Sequence, residues 1–145
     1  MSHIEVDVPA EELIETPLIP SGTVVTVKVS AEPEIKVSNK NADTSYLNVP
    51  LQIVEARNEA FIGLTLFHIV VIPNNSIKAR MVSEDKVAGW KMMCNNWAKF
   101  CRCCGIEASK ADSRRMINKK FTISVAVDEY EGKQRNKVGD ILDIA

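Results

Sequence analysis

Several groups of side chains in this sequence have types and spacings that could do chemistry. Cys94, Cys101, Cys103 and Cys104 fall within eleven residues, and Cys101 with Cys104 forms a C-x-x-C. A zinc site needs a second such pair or nearby histidines, and His3 and His68 are both remote in sequence. The cysteines also sit where a helix is predicted, so buried free thiols in a reducing compartment are expected, with no metal. The adjacent carboxylates Glu84-Asp85 and Asp128-Glu129 could share acid-base work, but one pair opens a helix and the other enters a turn. Phosphate-binding glycine loops, a G-x-S-x-G elbow and a helical His-Glu metal motif are all missing, so neither an enzyme nor a cofactor is expected.

The most suggestive spacing is that of Lys133, Arg135 and Lys137, which follow the turn Glu129-Tyr130-Glu131-Gly132 at intervals of two. On a strand, three such cations share one side. Beside an aromatic at the bend, they suit a single nucleic acid strand: phosphates meet the cations and a base stacks on Tyr130.

Such residues need elements to hold them. Phe121, Ile123, Val125 and Val127 alternate with Thr122, Ser124, Ala126 and Asp128, which predicts a strand with one buried face leading into the turn. Earlier, Val25, Val27 and Val29 alternate with polar neighbours, and Ile35 and Val37 resume the pattern after Glu32-Pro33, predicting one long bent strand. After the polar turn NKNADTS, which carries Lys40, Leu47, Val49, Leu51 and Ile53 alternate with Tyr46, Asn48, Pro50 and Gln52. That second set faces either solvent or a ligand, and Pro50 argues for an edge or a bulge. Phe61 to Ile72 is apolar on nearly both faces and reads as a central strand covered by a helix, with His68 a structural residue.

Ile77 to Val82 reads as a loop or short strand carrying Lys78 and Arg80. Ser83 with Glu84 and Asp85 signals a helix start, its hydroxyl serving as cap, and the helix should run from about Asp85 to Cys104 and stop at Gly105. Its apolar face, with Trp90, Met93, Cys94, Trp97, Cys101 and Cys104, is expected in the core, plugging a barrel. Residues 106–117 read as a short helix or loop.

At 145 residues, 46% hydrophobic and 26% charged, the chain suits one globular domain, residues 21–145, behind an acidic arm, residues 1–20. No apolar run approaches the ~18 to 20 residues that span a membrane, and no leader pattern opens the chain, so a cytoplasmic protein is expected. The net charge of -1 hides an asymmetry. Residues 1–22 hold five acids and no Lys or Arg, which leaves 14 acids against 18 bases, +4, on the remainder. The acidic head is either a solvated tail or an occupant of the basic surface when nucleic acid is absent.

Five strands with a helix between the third and fourth is the element order of an OB-fold, a Greek-key barrel that binds oligonucleotides on the face of its second and third strands. The segments SGTVVTVKVSAEPEIKVSNKNADTSYLNVPLQIVE and NKKFTISVAVDEYEGKQRNKV resemble the first and last hairpins of phage-encoded OB-fold single-stranded DNA-binding proteins, in which alternating hydrophobics end in an aromatic-Gly-Lys turn and a basic Asn-Lys return. The resemblance spans about Pro20 to Ile141. It implies that Tyr46 and Tyr130 stack on bases, that Lys36, Lys40, Lys120, Lys133, Arg135 and Lys137 contact phosphates, and that Asn48 and Gln52 line the platform. It also implies single-stranded DNA as ligand and, for a phage-encoded protein, the host cytoplasm as location; replication or recombination proteins are candidate further partners, a homo-oligomer stays open, and no membrane partner is expected. Asp140 and Asp143 are too few acids for a recruiting C-terminal tail. The competing expectation is a protein-protein module with an OB-like barrel. A contiguous basic groove through Lys36, Lys40, Arg135 and Lys137 would favour DNA, and scatter of those residues would favour the module.

Overall fold

The computed structural model describes residues 3–10, 13 and 17–144. Six strands, β1 (Val24–Val29), β2 (Glu34–Val37), β3 (Ser45–Glu55), β4 (Thr65–Ile72), β5 (Lys120–Tyr130) and β6 (Lys133–Ile144), form one antiparallel open sheet. The pairing path is β2-β3-β1-β5-β6, with β4 on the other side of β3. Two helices, α1 (Asn75–Arg80) and α2 (Glu84–Cys103), connect β4 to β5.

The count of strands corrects the expected five. The first strand does not merely bend: it breaks over Ser30–Pro33, and both pieces then pair with β3, β1 against its residues 51–55 and β2 against its residues 45–48. The cause is a pair of prolines. Neither Pro33 nor Pro50 has an N–H to continue the ladder, and the Pro50 carbonyl instead accepts the Ser30 N–H at 3.1 Å. Pro50 therefore marks neither an edge nor a simple bulge but the point where β3 changes partner. With six strands the long helix follows the fourth rather than lying between the third and fourth.

The segment from Phe61 to Ile72 also differs from expectation. Phe61 closes a short 3-10 turn, and the strand begins only at Thr65. It pairs with β3 alone, so it is an outer strand, and its outward side chains Phe67 and Ile69 are exposed. Residues 75–80 are helical because the Asn74 side chain accepts the Ile77 N–H at 2.8 Å, a cap that outweighs the strand-like look of the sequence. Ser83 does precede α2, but its backbone carbonyl, not its hydroxyl, serves the helix start, accepting from Lys86 at 2.9 Å and Val87 at 3.0 Å. Gly105, at φ 66°, ends the helix in the left-handed conformation that glycine tolerates.

The core packs the inward rows Val25-Val27-Val29, Leu47-Val49-Leu51-Ile53 and Phe121-Ile123-Val125 against α2. Trp97, Phe100, Cys101, Cys103 and Cys104 supply the helix side, and Phe100 meets Phe121 edge-on with ring centroids 6.2 Å apart. Trp97 is core as expected, its indole N–H donating to the Ala108 carbonyl at 2.9 Å, whereas Trp90 lies at the margin. Ile19 is also core. Asn136, on the inward side of β6, clasps it by donating to its carbonyl and accepting its N–H, both at 2.8 Å.

Candidate nucleic-acid interface

Strand register decides which polar residues meet. On β3 the core takes the odd-numbered row, so Tyr46, Asn48, Pro50 and Gln52 face outward together. Directly opposite them on β4 stand Val71, Ile69, Phe67 and Thr65. Across the other edge, Lys36 lies opposite Tyr46, and Lys28 of β1 lies opposite both Gln52 and Lys120 of β5. One outward face thus joins Tyr46, Asn48, Gln52, Lys36 and Lys120 with three residues that sequence reasoning did not single out: Phe67, Ile69 and Lys28. Phe67 and Ile69 are 63% and 60% exposed, an unusual condition for such side chains in mid-strand. Their signal was present in the alternation of Phe67 and Ile69 with Leu66, His68 and Val70, but an all-apolar segment does not say which row is covered.

The cations on this face are unevenly committed. Lys36 reaches Glu34 on its own strand at 3.6 Å. Lys28 and Lys120 join no ion pair among the described residues, although they are cross-strand neighbours. Two like charges held opposite one another repel, and a bound anion would relieve that repulsion.

The β5–β6 hairpin is a second, separate surface. Tyr130 and Lys133 flank a two-residue turn of Glu131 and Gly132, both at positive φ (51° and 79°), the geometry that follows the twist of paired strands. Arg135 and Lys137 do share the outward side, but Asp128 sits between them. It takes the Arg135 Nε at 2.9 Å and the Lys137 Nζ at 3.7 Å. The Arg135 hydrogen bond holds the Asp128 carboxyl below its usual range, and the same bond holds the guanidinium above its own. Arg135 also lies 4.6 Å over the Tyr130 ring, covering one of the faces a base would use. With Asp128, Glu129 and Glu131 set against Lys133, Arg135 and Lys137, residues 128–137 carry no net charge.

Lys120 stands at the opposite end of β5 from Tyr130, ten residues and roughly 33 Å away. Lys36 and Lys40 belong to β2 and the turn after it, Arg135 and Lys137 to β6, at the two ends of the pairing path. No strand pairing joins them into one groove. The turn bearing Lys40 is itself tethered: Arg80 of α1 donates to both carboxylate oxygens of Asp43 at 3.1 Å, holding that carboxyl below its usual range, and Asn74 donates to the Asp43 carbonyl at 2.8 Å.

Elsewhere, a recess of about 450 Å³ opens between α2, β4 and β6, lined by His68, Met92, Lys99 and Asp140 among others. Burial holds the His68 imidazole below its usual value, which favours the neutral ring. Burial also pushes the thiols of Cys101 and Cys104 up to about 11 and about 12, so neither is poised as a thiolate. Among the described residues, no three His, Cys, Asp or Glu side chains are grouped so as to hold a metal ion, and no helix is long and apolar enough to cross a membrane.

The sequence matches no protein-family model and no curated protein.

Proposed function

We propose that this chain binds single-stranded DNA without regard to sequence, through the outward face of β3 and β4. The observation that carries the reading is the row of exposed Phe67 and Ile69 beside Tyr46, Asn48 and Gln52, with Lys28, Lys36 and Lys120 at its margin. Aromatic and aliphatic side chains offer bases a stacking surface, the amides offer hydrogen bonds, and the lysines meet phosphates. The hairpin takes a lesser part in this reading, since Arg135 already occupies Tyr130 and Asp128.

Several observations support an OB-type barrel beneath that face. Counting β1 and β2 as one broken strand leaves five, paired in the order β4-β3-β1-β5-β6. The two end strands then approach one another: Leu64–Leu66 share a recess with Asn136, and His68–Val71 share another with Gly139–Ile141. Both runs ascend together, so β4 and β6 run parallel where they meet. In such a barrel β3 and β4 are the second and third strands, whose face binds oligonucleotides. The resemblance of NKKFTISVAVDEYEGKQRNKV suggests phage DNA replication or recombination as the setting.

A second reading, a protein-protein module, is favoured by the scatter of Lys36, Lys40, Arg135 and Lys137. Fluorescence anisotropy of labelled poly-dT of about 30 nucleotides, long enough for one or more sites of the ~4 to 16 nucleotides an OB-fold covers, separates the two. Binding that weakens as salt rises, with a log-log slope of about -0.7 per phosphate contact and with a duplex of equal length bound poorly, supports the DNA reading. No binding at low salt leaves the module.

A further inference from the structure

The acidic arm has a pattern of its own. Ile4, Val6 and Val8 alternate with His3, Glu5 and Asp7, as in a half-buried strand. Yet these apolar side chains are 81%, 57% and 41% exposed, so the row formed by residues 4–8 stays largely uncovered, although Ile19 at the other end of the arm is anchored in the core. At the far end of the sheet, β2 presents the matching surface. Its edge away from β3 pairs with no strand among the described residues. Ile35, across from core Leu47, and Val37 point to the inner side yet remain 65% and 58% exposed, because β2 overhangs the core. Below Ile35 runs an apolar recess of about 350 Å³ bordered by Leu47, Ile72, Trp97 and Met116. On its outer side β2 carries Glu34 and Lys36, 3.6 Å apart, and Lys40 follows in the turn.

We infer that the arm of one copy adds as a strand to the β2 edge of a second copy. With period two on both strands, any pairing that puts Ile4, Val6 or Val8 beside Ile35 and Val37 also puts Glu5 or Asp7 beside Lys36. The apolar row closes over the recess, one acid of the arm meets Lys36 while His3 or Pro9 faces Glu34 in the registers that avoid an acid-acid pair, and the open edge of β2 gains backbone partners. Arm and edge are different surfaces, so the contact is head-to-tail. It closes when two copies exchange arms and otherwise continues into a chain.

Sedimentation velocity of the full chain from about 1 μM to about 1 mM, the range suited to weak association, tests this inference independently of any nucleic acid. The expected result is concentration-dependent growth beyond the monomer. Val6→Asp on the arm and Val37→Asp on the edge should each weaken association by about tenfold or more, since each places a charge in the apolar row. Lys36→Glu should weaken it as well, and Glu5→Lys with Asp7→Lys should restore it in that background. Because residue 6 lies outside the packed body, Val6→Asp leaves the fold in place whatever happens at β2. A monomer at every concentration overturns the inference, as does association that survives Val6→Asp. Protection of the β2 edge amides in a strictly monomeric chain also overturns it, because the arm would then occupy its own edge.

Discussion

Replacing Phe67 with alanine separates binding from folding. The ring is 63% exposed and stands opposite Pro50 on the outward face. Full burial of such a side chain is worth about 1.5 to 3 kcal/mol, and only about a third of the ring is covered, so Phe67→Ala should cost roughly 0.5 to 1 kcal/mol of stability. If the ring stacks on a base, the loss in binding is larger, about 1 to 3 kcal/mol, or about 5- to 150-fold in Kd. No charge is removed, so the slope of log Kd against log salt should stay as in the parent. The assay is poly-dT anisotropy over a salt series, paired with a urea melt. A Kd within about twofold of the parent at every salt concentration would refute the assignment of this face, a change that small being well under ~1 kcal/mol. Should Tyr130→Ala carry the loss instead, the hairpin is the site.

Three further outcomes are expected. Lys28→Ala together with Lys120→Ala should lower the salt slope by about 1.4, the share of two phosphate contacts, without lowering stability, because the pair repels in the free protein. Asn136→Ala removes the clasp on Ile19 and a 3.3 Å bond to the Ala126 carbonyl, and should cost about 2 to 3 kcal/mol in a urea melt; a loss under about 0.5 kcal/mol would mean that the clasp is not holding the chain. His68 should make stability fall in mild acid. Its folded-state value lies below the usual 6.5, so its contribution is full above that pH and declines as pH drops through it, the unfolded chain taking up the proton first. His68→Gln should flatten that step in melts across pH 4 to 8, the range that brackets the unperturbed imidazole, and a step that persists in the variant would assign it elsewhere. The three carboxylates held low by arginine, Asp43, Asp112 and Asp128, give a separate loss only as pH falls below about 3.8.

Features that depend on local pattern were legible from the chain alone. Alternation at Val25–Val29, Leu47–Ile53 and Phe121–Val125 was enough to name three core strands, because a period of two assigns each side chain to a face before any partner is known. Ser83-Glu84-Asp85 and Gly105 bracket a helix because chain-end signals are local as well. Alternation failed where both rows are apolar: nothing within Phe61–Ile72 says that Phe67 and Ile69 lie uncovered, since cover comes from elements distant in the chain. The split of the first strand was equally hidden, because it shows only once Ser30 is seen to stand across from Pro50 of β3. Tertiary structure also reassigned the cations. Lys133, Arg135 and Lys137 stand on one side as their spacing requires, but register brought Asp128 between Arg135 and Lys137 and folded the guanidinium over Tyr130. Lys28 and Lys120, 92 positions apart in the chain, became neighbours through β1–β5 pairing. A residue's face is decided by its own strand, whereas its neighbours are decided by register with other strands, and a binding surface is made of neighbours.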